Sequence, residues 1–427
     1  MESRNRPMPM DLIVSDNGAP ASASSAFPSG RVMEIFSTNA SLRGGEGNIL
    51  AEMPVSKPSQ AFTDAEILRL ARPGIQALKP YVPGRSIEDV RAQYNPKRIV
   101  KLGSNENPLG ANPNVLKAVA KAMPRVSLYP DGSNREVRKA LAAAYKVNPE
   151  QVMVGNGSDE VLLMLALAFV KPGERVIVSE NTFSEYEFSG RVLDGKIVKV
   201  PLRNFRYDLT GFEKTLKLKP KMMFLCNPNN PTGNHFTHKE LESLLRKAPR
   251  QCLVVVDEAY ADYSTAKDFP HCLELMKRYP NLIVSRTFSK LYGLAGLRLG
   301  YGIGDAAIIR ETLRVKTPFN LNLLVQTAAL TALKDKAFVR RSLSVNQKGK
   351  KQLEAGFKKL GLFFLPTEAN FICFRVPRPA VELCEDLMKR GMIMRPLKSF
   401  GLPDWCRVTI GTAEQNRFFL QELKSVL

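Results

Sequence analysis

The sequence predicts an α/β protein: a mainly parallel, doubly wound sheet in a large domain, with a smaller α+β domain. Three observations predict it. From about residue 150, short β-rich runs alternate with helical stretches. Most of those runs are continuously apolar, as strands covered on both faces are. From about residue 325 the pattern changes to long amphipathic helices with two clear strands.

Residues 1–62 read as a disordered or loosely attached extension. Ten of the first sixty residues are serine, and no stretch keeps a helical or strand period. Acidic residues outnumber basic ones there and no apolar segment follows a basic start, which argues against a transit peptide and a secretory signal. Thr63-Asp64-Ala65-Glu66 is a capping box that opens a short helix ending before Pro73. Residues 63–124 are expected to form an N-terminal arm and part of the small domain, 125–320 the large domain, and 321–427 the C-terminal small domain. The large-domain strands are expected at Gln151–Val154, Arg175–Val178, Ile197–Val200, Lys221–Cys226, Leu253–Val256, Asn281–Ser285 and Leu299–Ile303. Helices lie between several of them, among them Ser158–Val170 and His238–Lys247. The two small-domain strands are Asn370–Phe374 and Arg407–Ile410.

A chain of 427 residues is too long for one compact core. Its 44% hydrophobic and 24% charged residues are ordinary for a globular enzyme. The longest apolar run, Val161–Val170, is too short to cross a bilayer and reads as a buried helix. The six cysteines form no CxxC pair and read as reduced, buried thiols. Three histidines, without neighbouring ligands at metal spacing, argue against a metal centre. The net charge of +21 falls in the body of the chain, because the first 75 residues carry seven basic and eight acidic side chains. Such a field attracts anions, either nucleic acid or small phosphorylated and carboxylated metabolites.

Four motifs fall at strand ends. Gly155-Asn156-Gly157-Ser158-Asp159-Glu160 joins a strand to the apolar helix. Its glycines allow close backbone approach, Ser158 can cap, and the helix start offers amides to an anion. Alone, a plain turn explains it equally well. Cys226-Asn227-Pro228-Asn229-Asn230-Pro231-Thr232-Gly233 makes a rigid turn after a strand. In Asp257-Glu258-Ala259-Tyr260, a carboxylate follows four apolar strand residues, and burying it calls for a cationic partner. The fourth is Ser285-Arg286-Thr287-Phe288-Ser289-Lys290, followed by Gly293, Gly296, Arg298 and Gly300. A lysine just past a strand, among hydroxyls and an arginine, suits a covalently held phosphorylated cofactor.

GNGSDE, NPNNPTG, DEAY and SKLYGLAGLRLGY in this order resemble the pyridoxal-phosphate aminotransferases of fold type I. More narrowly, Leu70–Gly84, Leu102–Gly110, Leu128–Gly132 and Arg407–Thr412 are similar to segments of histidinol-phosphate aminotransferases. The resemblance covers about residues 70–427 and leaves out the N-terminal extension. It implies that Lys290 carries pyridoxal 5'-phosphate and shuttles the proton, and that Asp257 pairs with the pyridine nitrogen. Tyr260 and Asn230 would bond the ring oxygen. Phe183 would stack on the ring, unless it is a core phenylalanine, with Tyr186 as the other aromatic candidate. Gly157, Ser158 and Asp159 would cradle the phosphate with Ser289, Arg298 and Thr287, and Tyr129 would reach the phosphate of the neighbouring subunit of a homodimer with a shared active site. Arg407 would clamp the α-carboxylate of glutamate or 2-oxoglutarate. Tyr81 and Arg395 would contact the substrate phosphate, Asn105 would fold over the substrate, and Asn370 is a further candidate.

The implied reading is a cytoplasmic homodimeric transaminase of histidine biosynthesis. It interconverts histidinol phosphate plus 2-oxoglutarate and imidazole acetol phosphate plus glutamate by a ping-pong mechanism, with no metal, no nucleic acid and no membrane partner. Two alternatives share the fold: an aromatic amino-acid aminotransferase and a threonine-phosphate decarboxylase. A basic nucleic-acid-binding protein is the alternative from another class, against which no DNA or RNA module signature appears.

Overall fold

The computed structural model describes residues 61–427 apart from Ala77, Lys79, Tyr81 and Val82. The expected extension therefore lies outside the described residues except for Ala61 and Phe62, and so does the candidate Tyr81. The capping box forms as expected: Thr63 and Glu66 bond reciprocally at the start of the Asp64–Leu70 helix.

The strands in chain order are β1 (Val100–Lys101), β2 (Val152–Gly155), β3 (Arg175–Ser179), β4 (Lys196–Val200), β5 (Met222–Cys226) and β6 (Leu253–Asp257). Then come β7 (Leu282–Thr287), β8 (Gly300–Ile303), β9 (Phe371–Arg375), β10 (Met392–Ile393), β11 (Arg395–Pro396) and β12 (Trp405–Thr409). Strands β2 to β8 form one seven-stranded sheet in the order β2-β8-β7-β6-β5-β3-β4. Strands β3 to β7 pair in parallel, and β8 alone runs against its neighbours β7 and β2. The seven apolar runs of the large domain are these seven strands.

The centre of the sheet is buried on both faces. Every residue of β5 and β6 is buried. The Ser158–Phe169 helix turns Val161, Leu162, Leu165 and Ala166 into one core layer with Met153, Val176 and Met222. On the other face Val137, Leu141, Val325 and Ala329 pack with Val152, Val154 and Tyr301. Covering both faces is what sets continuous apolar runs apart from alternating ones.

The small domain has more strands than the sequence reading contained. Strand β12 pairs antiparallel with β9 and β11, and β1 pairs in parallel with β10. Strands β1, β10 and β11 have two residues each, too few to show a period. Phe357, Phe374 and Phe419, all fully buried, pack together in the small-domain core. Each such side chain contributes roughly 1.5–3 kcal/mol by leaving water.

All six cysteines are buried and none is in a disulfide. His235 lies 2.9 Å from Asp268, and His238 Nδ1 accepts the His271 amide at 3.2 Å. Among the described residues no group of His, Cys, Asp and Glu is arranged to hold a metal ion, and no helix is long and apolar enough to cross a membrane.

Candidate active site

The shared direction of β2, β3, β5, β6 and β7 brings their carboxyl ends to one edge of the sheet, where such sheets bind ligands. Register makes neighbours of distant sequence: Cys226 faces Asp257, Asp257 faces Ser285, and Gly300 lies between Gly155 and Thr287. The four motifs therefore converge.

At the end of β2 a correction arises. Gly157, not Ser158, is the N-cap; it has φ +87°, and Ser158 is the first helical residue without a side-chain cap bond. At φ +87° the cap favours glycine, which adopts this conformation without strain; a Cβ there would also lie 2.6 Å from Arg298 Nη2 and displace it. The first amides of a twelve-residue helix are thus left to accept an anion. Arg298, in the left-handed region at φ +60°, reaches across so that Nη2 is 2.8 Å from Asp159 Oδ2. Ser289 and Thr287 are buried beside this end. The Thr287 hydroxyl accepts the Ser289 amide at 3.1 Å and lies 3.0 Å from Ser289 Oγ, which fixes the turn that delivers Lys290.

Lys290 is partly buried, and its Nζ donates to the Ser104 carbonyl at 3.1 Å. Burial, then the positive field of Arg407, lowers its amine to about 8. Asp257 is buried at the end of β6, and burial raises its carboxyl to about 6. Within the chain Asp257 accepts from the Tyr186 hydroxyl at 2.7 Å and the Ala259 amide at 3.1 Å. The arginine on the next strand, Arg286, instead pairs with Glu258 at 2.6 Å and Asp262 at 3.1 Å. Successive strand residues face opposite sides, so the ion pair and Asp257 lie on different faces.

Tyr260 is buried, its hydroxyl accepts from Asn105 Nδ2 at 3.0 Å, and its ring lies 5.8 Å below Lys290 Nζ. Asn105 sits in the left-handed region that asparagine tolerates, at φ +57°. Its amide donates to Thr409 Oγ1 at 2.9 Å and its carbonyl accepts from Asn370 Nδ2 at 3.0 Å. The segment from the N-terminal arm is thus held by β12 and by the residue preceding β9. Arg407, on β12, is 6% exposed. Its guanidinium donates to Asn230 Oδ1 and to the Gly103 carbonyl, and lies 5.3 Å over the Phe371 ring. Arg395 stands directly opposite Arg407 in the β11–β12 pair.

Phe183 is partly buried and meets Tyr186 edge-on at 5.7 Å. The bonds that hold its loop escaped the sequence reading. Thr182 Oγ1 donates to Asn229 Oδ1 at 2.9 Å, and Asn229 Nδ2 donates to the Asn181 carbonyl at 3.0 Å. The asparagines of NPNNPTG were the visible signal, but only the fold shows what they tie. Tyr129 stands apart: it is 83% exposed, stacks on Phe319 at 4.5 Å, and lines a cleft of about 490 Å³ with Asn156 and Arg298.

The chain is similar to known proteins. The family model for aminotransferase class I and II matches residues 97–423. A histidinol-phosphate aminotransferase of Moorella thermoacetica is 46% identical over 83% of this chain and 92% of its own length. One from Symbiobacterium thermophilum is 42% identical over 83% of this chain and 98% of its own. The crystal structure of histidinol-phosphate aminotransferase from Sinorhizobium meliloti in complex with pyridoxal-5'-phosphate superposes with TM-score 0.76 at 25% identity, covering 86% of this chain and 98% of that one. The chain therefore belongs to the class I and II aminotransferases, within the group of the histidinol-phosphate aminotransferases.

Proposed function

We propose that the chain is a pyridoxal-phosphate-dependent transaminase that interconverts histidinol phosphate plus 2-oxoglutarate and imidazole acetol phosphate plus glutamate. The observation that carries this reading is the pairing of a lysine amine lowered to about 8 with a buried carboxylate at the same sheet edge as an uncapped helix start. That donor set fits the cofactor. The amides of Gly157, Ser158 and Asp159, the Ser289 hydroxyl and Arg298 would hold its phosphate, and Thr287 braces their turn. Asp257 would face the ring nitrogen, Tyr260 and Asn230 the ring oxygen, and Phe183 the ring face.

When bound, pyridoxal phosphate supplies an electron-withdrawing ring that takes up the electron pair freed at the substrate Cα. The residues supply the rest. An amine near 8 is partly neutral at physiological pH, so Lys290 can take the proton from the substrate Cα and hold it as an ammonium for return. Asp257, ionised above about pH 6, stabilises positive charge on the ring nitrogen. Arg407 offers a planar fork to a carboxylate or phosphate, and its bonds to Asn230 and to the Gly103 carbonyl help fix that fork in place. Arg395, directly opposite in the strand pair, would add a second positive charge for an anionic substrate. Asn105 closes the site from the arm side. Tyr81 belongs to the same reading as a ligand of the substrate phosphate.

The reading includes a cytoplasmic homodimer with a shared site. Its support is the exposed group Val126, Leu128, Tyr129 and Phe319, lining a cleft that also contains Arg298. Exposed apolar surface of this kind marks association. Borohydride reduction of the cofactor-loaded enzyme, followed by peptide mapping, tests the assignment. The label is expected on Lys290, and a label on another lysine would overturn it.

A further inference from the structure

Tyr186 is completely buried on the Glu185–Arg191 helix, and its hydroxyl donates to Asp257 Oδ2 at 2.7 Å. Its ring stacks on Phe224 of β5 at 5.4 Å, with 12° between the planes, and meets Phe183 edge-on at 5.7 Å. Phe183 and Tyr186 are three residues apart across the start of that helix. One side chain therefore touches both groups that flank the proposed ring site, the aromatic wall and the carboxylate.

The charge balance around Asp257 gives the hydroxyl its importance. Burial opposes ionisation, and so do Asp159 and Glu258; Cys226, Tyr207 and Tyr260 also face the carboxylate and would repel it if charged. Two groups favour the ionised form, the Tyr186 hydroxyl first and the Ala259 amide second. Tyr186 itself is held far above the usual tyrosine range by burial, so it remains a donor at every working pH.

We infer that Tyr186 is a positioning residue: it aims the Asp257 carboxylate, keeps it ionised and braces the Phe183 ring, so that cofactor affinity and its pH dependence rest on this hydroxyl. The inference depends on the cofactor-binding reading above. Tyr186→Phe removes one oxygen and leaves the ring packing in place. Asp257 then protonates at a higher pH, and a neutral carboxyl holds a positive ring nitrogen poorly.

The test is titration of the cofactor-free protein with pyridoxal phosphate, followed by cofactor absorbance, between about pH 5.5 and 8.5. Wild type, Tyr186→Phe and Phe224→Leu are compared. Tyr186→Phe is expected to bind about tenfold more weakly, as loss of a hydrogen bond to a charged group implies, with its acid-side midpoint moved to higher pH. Phe224→Leu keeps the hydroxyl and disturbs only the stacking, so its midpoint is expected to match wild type. Wild-type affinity and midpoint in Tyr186→Phe would overturn the inference. An equal midpoint shift in Phe224→Leu would overturn it too, by reducing Tyr186 to a packing residue. A wild type that binds no pyridoxal phosphate would instead overturn the functional reading beneath it.

Discussion

Replacing Arg407 by glutamine removes a charge while keeping most of the side-chain length. The arginine is 6% exposed, bonds Asn230 Oδ1 and the Gly103 carbonyl, and covers the Phe371 ring. A charge-assisted bidentate pair in so dry a site costs about 2–5 kcal/mol when one partner is truncated. At about 1.4 kcal/mol per factor of ten, that is roughly a 30- to 5,000-fold loss. The loss should fall on both half-reactions, because glutamate presents a carboxylate and histidinol phosphate a phosphate to the same fork. A second consequence follows from electrostatics. Arg407 is the charged group that most lowers the Lys290 amine, so its removal raises that pKa and moves the basic requirement of the reaction to higher pH. Single-turnover rates after rapid mixing, measured for each amino donor across pH, read both effects. A glutamate half-reaction within about threefold of wild type, with an unmoved pH profile, would refute the reasoning.

Asp257→Asn should bind the cofactor at least tenfold more weakly and, once loaded, lose on the order of a thousandfold in turnover, because a neutral partner no longer stabilises positive charge on the ring nitrogen; absorbance titration and steady-state rates at saturating cofactor check both halves. In the cofactor-free protein, Lys290 has a folded pKa of about 8 against the ordinary 10.5. A depressed amine contributes stability that is present above the unfolded value and lost as pH falls through the folded one. Urea unfolding should therefore show Lys290→Met stabilised relative to wild type by about 3 kcal/mol more at pH 7 than at pH 10.5. Arg286→Met should cost about 3–5 kcal/mol in the same assay, because it strands Glu258, whose side chain is 1% exposed, without its cation.

Much of this site was legible in the sequence because each motif sits where an apolar run ends. The apolar runs of β5, β6 and β7 are enough to set Asn230, Asp257 and Lys290 at one sheet edge. What stayed illegible was partnership across the fold. The carboxylate of Asp257 called for a partner, and burial logic suggested a cation. Within the chain its side-chain partner is the Tyr186 hydroxyl, 71 residues away in sequence. Nothing local distinguishes that tyrosine from an ordinary core residue. Ser158 looked like a helix cap, but the backbone at Gly157 takes φ +87°, so the glycine holds the cap position and the serine begins the helix. The two-residue strands of the small domain left no periodic trace, although β11 sets Arg395 opposite Arg407.

The central claim is the reaction itself, and substrate preference tests it most directly. The cofactor-loaded enzyme is given histidinol phosphate, phenylalanine or tyrosine with 2-oxoglutarate, and glutamate formation is measured as kcat/KM. Threonine phosphate is assayed in parallel for carbon dioxide release. The account predicts the highest kcat/KM for histidinol phosphate, since a fork held at Arg407 and a second charge at Arg395 favour a phosphate-bearing donor over an uncharged aromatic side chain. A higher value for phenylalanine or tyrosine, or carbon dioxide released from threonine phosphate in place of nitrogen exchange, would contradict it.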